Sequence, residues 1–297
     1  MAISSNEIAK RLERFQSDFS QDYVVQCIGD GAYSVLDAGK ASFYIVEGCS
    51  RAAVIDTGIT VGGKIMPLIR SITDKPLLLL LTHAHVDHMH HMDEFRDCDV
   101  FLGAADADLP EDFLRPMCAG KDLIADIRGA RKLKTGDIID LGNNQLEVCI
   151  VPGHTPGSAV FLDRKNNLLF TGDAIGSGAG VWLQLEQSLP LEEYLRSLIN
   201  LQKWLVDRGG RMKFWGGHSS QIFQSTLIPG YNPLGMGLLA DLIDLVDGVV
   251  SGTIVGHRSN VDKFVGLEVP LYASYGRAEL QYSPSNIHSK NDSGPSC

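Results

Sequence analysis

Apolar residues occur along this chain in two patterns, short continuous runs and repeats of helical period. The run Leu77–Leu81 is preceded by Pro76 and followed at once by polar residues, which favours a buried strand over a core helix. Comparable segments between Gly-rich or charged turns predict further strands on both sides of this run. They span residues 23–28, 32–36, 42–46, 52–55, 100–102, 132–133, 137–141, 146–151, 159–163, 168–170 and 211–215.

Helical repeats account for most of the remaining apolar positions. Amphipathic spacing predicts helices over residues 6–19, 61–72, 191–206 and 236–249. Residues 104–128 are expected to be helical or irregular, and the acidic stretch 106–112 is expected to face solvent. Residues 264–282 fit either two strands or one strand and a loop.

The strand Leu77–Leu81 leads directly into a cluster of candidate metal ligands. Three imidazoles and a carboxylate follow it within six residues, at His83, His85, Asp87 and His88. These groups suit Zn²⁺, Mn²⁺ or Fe²⁺. Once later histidines join them, the ligands outnumber what one tetrahedral ion needs, so the spacing favours two metal ions. The alternative to a metal site is a surface loop that happens to be rich in histidine.

Three later motifs and one earlier carboxylate complete a pattern that resembles the metallo-β-lactamase superfamily. The chain carries His83-x-His85-x-Asp87-His88, then Gly153-His154-Thr155-Pro156-Gly157, Thr171-Gly172-Asp173-Ala174 and Gly216-Gly217-His218, in the order typical of that family. Asp56, in Val54-Ile55-Asp56-Thr57-Gly58, matches a further family position. The resemblance extends from about residue 23 to about residue 220. The complete set of motifs is specific to this superfamily, whereas any one motif alone would only suggest it.

The resemblance implies a fold and a division of the ligands. The fold is an α+β protein, an αββα four-layer sandwich of two mixed sheets flanked by helices, and strands and helices do occur twice here in similar order. One ion would take His83, His85 and His154, and the other would take Asp87, His88 and His218. Asp173 would bridge the two ions, because a carboxylate has two oxygens. Asp56 would orient a ligand imidazole from outside.

The resemblance also implies hydrolysis. A hydroxide shared by two divalent cations, Zn²⁺ above all, would attack the electrophile, and Asp87 would pass a proton to the leaving group. Carboxylic esters, thioesters and lactones of small molecules are the expected substrates. Trp182, Tyr194, Tyr231 and Tyr272 are candidates for an apolar acyl pocket, although aromatic residues are more often core, and His257 is a further candidate for the substrate pocket. His90 and His91 are expected to be helix residues near the site, not ligands.

Two alternatives remain open. A phosphodiesterase acting on a small molecule would use the same ligands and would need cationic pocket residues, for which Arg196, Arg258 and Lys263 are candidates. A regulatory protein that binds metal and ligand with little turnover would retain the fold and the ions. Replacing Asp87 or His218 would separate binding from catalysis.

Composition narrows the class of protein. The 297 residues, 44% of them hydrophobic, suffice for one large domain with appendages. A net charge of −10 gives no affinity for phosphate backbones, so nucleic acid is not expected as a partner. Six scattered cysteines and no signal or transmembrane segment predict a cytoplasmic protein that contacts no membrane. Many family members are dimers, and no feature here fixes whether this chain is a homodimer.

The expected organisation has four segments. An N-terminal helix spans residues 1–20, and a catalytic domain spans residues 21–221. An extension over residues 222–285 is expected to pack on the site or cap it. Residues 286–297 are polar and are expected to form a disordered tail.

Overall fold

The strands form three sheets, in a computed structural model that describes residues 23–37, 41–60, 63–177, 180–218, 234–258 and 268–289. The first sheet has seven strands in chain order. It comprises β1 (Tyr23–Gly29), β2 (Ala32–Asp37), β3 (Ser42–Glu47), β4 (Ala52–Ile55), β5 (Leu77–Leu80), β6 (Asp99–Gly103) and β7 (Arg131–Leu133). Strands β1 to β4 are antiparallel, and β4 to β7 are parallel.

The second and third sheets come from the remaining strands. These are β8 (Ile138–Asp140), β9 (Gln145–Ile150), β10 (Ala159–Asp163), β11 (Leu168–Gly172), β12 (Val181–Leu183), β13 (Lys213–Gly216), β14 (His257–Arg258), β15 (Leu271–Tyr275) and β16 (Ala278–Tyr282). The second sheet has the order β13-β11-β10-β9-β8, and the third has the order β12-β16-β15-β14. The predicted region 264–282 therefore contributes two strands, with residues 264–267 outside the described part.

Seven α-helices accompany the sheets in the described part of the chain. They are α1 (Met66–Ile72), α2 (Val86–Met89), α3 (Ala104–Ala107), α4 (Glu111–Met117), α5 (Ile124–Gly129), α6 (Leu191–Val206) and α7 (Met236–Ser251). Short 3-10 helices span Met92–Phe95 and Pro284–Asn286. The predicted helix over 61–72 begins later, at Met66, with Pro67 in its first turn. The helix predicted over residues 6–19 lies outside the described residues.

The apolar residues separate into layers that define an αββα sandwich. Side chains such as Tyr44, Leu80 and Phe161 fill the space between the first two sheets. The other face of the first sheet packs on its helices through residues such as Leu79 and Ile69. The run Leu77–Leu81 thus alternates between two apolar layers, which explains why it is continuous. The predicted fold class is confirmed.

The C-terminal segment shares its core with the second sheet. Helix α6 buries Tyr194, Leu198, Leu201 and Leu205. Helix α7 and the β15–β16 hairpin pack into the same apolar cluster. Hydrogen bonds also join the start of the predicted disordered tail to this unit, from Asn286 Nδ2 to the Ser188 carbonyl and from Ser289 N to Glu192. Residues 286–289 are therefore placed against α6, and residues 290–297 lie outside the described part.

The helices and the cysteines bear on the setting in which the protein folds. Of the helices that the structure describes, none combines the length and the apolar character needed to span a bilayer. Five cysteines in the described ranges are free thiols, at positions 27, 49, 98, 118 and 149.

Candidate metal centre

The candidate ligands lie at the ends of strands from both large sheets. His83 and His85 follow β5, and α2 then presents Asp87 and His88. His154 lies in the connection between β9 and β10. Asp173 and His218 follow the parallel strands β11 and β13. The carboxyl ends of parallel strands meet at one edge of a sheet, so the packing of two such sheets brings these loops together.

The first ligand group consists of three buried histidines. His85 Nδ1 lies 3.0 Å from His83 Nε2 and 3.0 Å from His154 Nε2. One nitrogen cannot satisfy two imidazole acceptors with a single proton, so these three converging atoms fit a cation better than a hydrogen-bond network. Burial and the neighbouring imidazoles lower the pKa of His83 and His85, and burial lowers the pKa of His154. Neutral rings offer the lone pairs that a metal requires.

The second ligand group is richer in carboxylate. His218 Nε2 lies 3.4 Å from Asp87 Oδ2, and His88 Nε2 lies 3.7 Å from the same oxygen. Burial acts to lower the pKa of His88, but the carboxylates of Asp87, Asp56 and Asp173 outweigh it and raise that pKa. Burial is likewise outweighed at His218, where Asp173 raises the pKa to about 9. Without a cation, protons balance these carboxylates, and a divalent ion would replace them.

Asp173 joins the two groups. Its Oδ2 lies 3.0 Å from His218 Nε2, 3.6 Å from His88 Nε2 and 3.9 Å from His154 Nε2. Burial acts to raise the pKa of this carboxyl, but the adjacent His218 and His88 hold it well below its usual range. Asp173 Oδ1 and His88 Nε2 are buried polar atoms that make no hydrogen bond. Unsatisfied atoms of this kind, aimed at a common point, fit a pair of metal ions.

Three outer contacts fix the ligand rings. Asp56 Oδ2 lies 2.9 Å from His88 Nδ1, in agreement with the orienting role expected of it. His83 Nδ1 lies 3.0 Å from Thr82 Oγ1, and His154 Nδ1 donates to the Trp182 carbonyl at 2.8 Å. Each ring therefore keeps its other nitrogen turned inward, as ligand histidines require.

Gln187 supplies a fourth outer contact that the sequence did not indicate. Gln187 Nε2 contacts His85 Nε2. If His85 Nδ1 faces a metal, then His85 Nε2 carries the proton, and the Gln187 amide must turn over so that its oxygen accepts that proton. Gln187 lies in the loop between β12 and α6, and no motif marks it.

Gly217 allows the backbone to approach the ligands. A Cβ atom there would lie 2.4 Å from Asp173 Oδ1 and 2.6 Å from His88 Cε1. Any larger residue would displace two ligand side chains, so the glycine before His218 is a requirement of the site.

Asp106 corrects the expectation that the acidic stretch 106–112 faces solvent. Its side chain is fully buried. The carboxylate accepts hydrogen bonds from Ala84 N at 2.9 Å, Thr155 Oγ1 at 2.8 Å and Gly157 N at 2.6 Å. It thus ties the loop of His83 and His85 to the loop of His154. Sequence patterns could not show this role, because the partners lie far away along the chain.

Of the predicted pocket residues, Tyr194 lies in the core, whereas Trp182 and His257 lie on the third sheet. Trp182 is adjacent to the site through its carbonyl. Tyr194 is fully buried in the core of α6, and its hydroxyl donates to the Ala174 carbonyl at 2.7 Å, so it supports the Asp173 loop and does not line a pocket. His257 is exposed on β14, the strand of the third sheet farthest from β12. His90 and His91 lie in the turn after α2, outside the helix expected for them, and the groups of described side chains that could hold a metal ion do not include them.

A profile of the Metallo-beta-lactamase superfamily matches residues 36–208, and the chain belongs to that superfamily. The match and the cluster of His and Asp side chains that could hold metal ions together indicate a metal-dependent hydrolase.

Several known proteins are similar to this chain. The acyl-coenzyme A thioesterase MBLAC2 of Gallus gallus is 30% identical over 212 residues, which cover 60% of this chain and 72% of that protein. The Bos taurus protein of the same name is 27% identical over 231 residues, or 66% and 81%. Among solved structures, a metallo-beta-lactamase from Pontibacter korlensis superposes with a TM-score of 0.55 at 18% identity, over 76% of this chain and 99% of that one.

Proposed function

We propose that this protein hydrolyses acyl thioesters with two bound divalent metal ions, Zn²⁺ in the first instance. The observation that carries the proposal is the position of one carboxylate, Asp173, whose Oδ2 lies within 3.9 Å of candidate nitrogen ligands from both groups. The similarity to proteins named acyl-coenzyme A thioesterase supports the thioester as substrate, ahead of esters and lactones. Mn²⁺ and Fe²⁺ also suit these ligands.

Two divalent cations held by the candidate ligands would supply the acidity for the attacking water and the polarisation of the acyl carbonyl. The chain itself contributes ligand geometry and proton transfer. In thioester hydrolysis water adds to the carbonyl carbon, the carbon–sulfur bond breaks, and a proton ends on the sulfur.

Asp87 is the residue that we assign to that proton. Its side chain is 27% exposed and that of His218 is 32% exposed, while His88 is fully buried. The open side of the centre is therefore where Asp87 and His218 stand, and a substrate would enter there. A carboxylate at this position can take the proton of the attacking water and deliver it to the leaving sulfur.

The alternative function, hydrolysis of a small-molecule phosphodiester, has less support. Arg196 and Arg258, candidates for holding a phosphodiester, are exposed on α6 and on the outer strand β14, and Lys263 lies outside the described residues.

We place the protein in the cytoplasm because the five described thiols are free, which fits a reducing compartment.

A panel of substrates tests the proposal. Metal-loaded protein is assayed with a thioester, a lactone, an aryl ester, a β-lactam and a phosphodiester. Asp87→Ala serves as the test variant and Asp112→Ala, at an exposed carboxylate, as its matched control. We expect thioester turnover that falls about 100-fold or more in Asp87→Ala, persists in Asp112→Ala and stops in chelator. Turnover confined to a lactone or a phosphodiester would contradict the proposal.

A further inference from the structure

Four side chains form a row across one face of the third sheet. Trp182 of β12 pairs with Gln281 of β16, Gln281 pairs with Tyr272 of β15, and Tyr272 pairs with His257 of β14. Directly paired residues in neighbouring strands point to the same side of a sheet. The His257 and Tyr272 rings meet edge to face, with centroids 5.2 Å apart. We name this row, Trp182–Gln281–Tyr272–His257, the sheet platform.

The opposite face of the same strands is the core face. Val181 and Leu183 flank Trp182, Leu280 and Tyr282 flank Gln281, and all four are buried. They belong to the apolar cluster that also contains residues of α6 and α7. Since side chains alternate along a strand, the sheet platform lies on the face away from that cluster. Trp182, Gln281 and Tyr272 are half-buried there, and His257 is exposed.

The sheet platform begins at the metal centre. The Trp182 carbonyl accepts the hydrogen bond of His154 Nδ1, so β12 borders the first ligand group. On the core side of β12 the space is filled, because Ala174 and Ile175 pack in the same cluster as Val181. A ligand that contacts β12 beside the centre therefore lies on the side on which the platform lies. The platform extends away from the centre by three strand spacings, about 14 Å.

The side chains of the platform suit one of the two portions of a thioester, the acyl portion or the thiol portion, better than the other. An acyl chain is held best in an enclosed apolar pocket. The platform instead offers an amide, a phenol, an imidazole and an indole, and Glu279 and Ser274 stand beside Tyr272 on the same face. Such side chains can donate to and accept from amide groups, and their rings can stack on another planar ring. This chemistry suits the thiol portion of the substrate better than the acyl portion.

We propose that the sheet platform binds the leaving thiol of the substrate, through an extended arm that carries amide groups. The arm would cross Trp182 and Gln281 and reach Tyr272 and His257. The amide-bearing arm of a coenzyme A thioester has this chemistry. The inference rests on the proposed thioester hydrolysis and adds a binding site to it.

Two thioesters with the same acyl group and different thiols test the inference. Butyryl-coenzyme A carries the long arm, and S-butyryl-N-acetylcysteamine carries only its first segment. The metal-loaded full chain is compared with Tyr272→Ala and Gln281→Ala. Tyr275→Ala is the matched control, because Tyr275 is an exposed tyrosine of the same strand on the opposite face.

We expect KM for butyryl-coenzyme A to rise about 10-fold in Tyr272→Ala and several-fold in Gln281→Ala, with kcat within about 2-fold. KM for the short thioester should stay unchanged in Tyr272→Ala, and Tyr275→Ala should match wild type with both substrates. Equal KM values of wild type and both variants for butyryl-coenzyme A would overturn the platform while the proposed hydrolysis stood. A parallel rise for both thioesters in Tyr272→Ala would also overturn it, since the short thioester does not reach Tyr272.

A direct measurement of coenzyme A binding tests the sheet platform independently of the proposed function. If wild type hydrolyses neither thioester, the proposed function fails, and calorimetric titration with coenzyme A itself decides about the platform. Binding by wild type that weakens about 10-fold in Tyr272→Ala would support the platform. Absence of binding by wild type would overturn it.

Discussion

Asp56 Oδ2 lies 2.9 Å from His88 Nδ1, and this contact sets the direction of a fully buried ligand ring. The same carboxylate accepts Thr82 N at 2.7 Å and Thr82 Oγ1 at 2.8 Å. Asp56 has φ of 61°, in the left-handed region, so the backbone adopts an uncommon conformation to place this group. The orientation of His88 therefore depends on the turn after β4 as well as on α2.

We expect Asp56→Ala to weaken metal binding at the second ligand group about 10- to 100-fold, because His88 loses the acceptor that orients it. The three-histidine group should keep its ion. Competition against a chromophoric chelator measures both affinities. Asp244→Ala, at an exposed position of α7, is the control and should bind two ions as wild type does. Unchanged affinity in Asp56→Ala would show that the contact does not position the ring.

Gln187→Ala tests the contact that the sequence did not indicate. The variant removes the amide beside His85 Nε2, so we expect the ion of the three-histidine group to bind about 10- to 100-fold more weakly. The second group should be affected less. Gln145→Ala changes an exposed glutamine of β9 and should leave both affinities unchanged. Equal losses at both groups would indicate a general loosening of the loop.

The ligands could be predicted from the sequence because each lies in a short local motif after an apolar strand. His83, Asp87 and His88 share one turn, and the glycines beside His154 and His218 mark tight bends. Asp106 and Gln187 could not be found in this way. Their partners are separated from them in the chain, and only the packing of two sheets brings them together.

The strand pairing of the third sheet also could not be predicted from the sequence. From the sequence, residues 264–282 fit two strands or one strand and a loop, and neither alternative predicts that β16 pairs with β12, nearly a hundred residues earlier in the chain. Tyr194 illustrates the opposite case. It lies at helical spacing with Leu191 and Leu198, and this periodicity indicates a core residue more strongly than its aromatic character indicates a pocket.

Asp106→Asn gives a prediction about pH. Burial raises the pKa of Asp106 to about 6, against its hydrogen bonds from Ala84, Thr155 and Gly157. The folded state thus holds this proton more tightly than the unfolded chain does. The stabilising contribution is fully present below the unfolded pKa of about 3.9 and is lost as pH rises through about 6.

We therefore expect the free energy of unfolding of wild type to fall relative to that of Asp106→Asn between pH 4 and pH 7. A difference of about two pH units between the folded and unfolded pKa corresponds to about 3 kcal/mol. Urea denaturation in the presence of chelator, at both pH values, measures the change. A constant difference between the two proteins would mean that the three donors hold Asp106 ionised throughout this range.

Tyr194→Phe distinguishes core support from substrate contact. The variant loses only the hydrogen bond to the Ala174 carbonyl, so we expect about 1 kcal/mol less stability against urea. KM for a thioester should not change, because the ring remains buried under the Asp173 loop. A several-fold increase in KM without loss of stability would return Tyr194 to the substrate pocket.

The most direct test of the account is a titration of metal-free protein with Zn²⁺, followed simultaneously by bound metal and by thioester hydrolysis. For wild type we predict two bound ions per chain, with full activity only when both are present. Asp173→Ala should bind at most one ion tightly and lose about 100-fold or more in kcat/KM. Full activity at one ion per chain, or an active Asp173→Ala variant, would contradict the assignment of Asp173 as the bridge of a two-metal hydrolase.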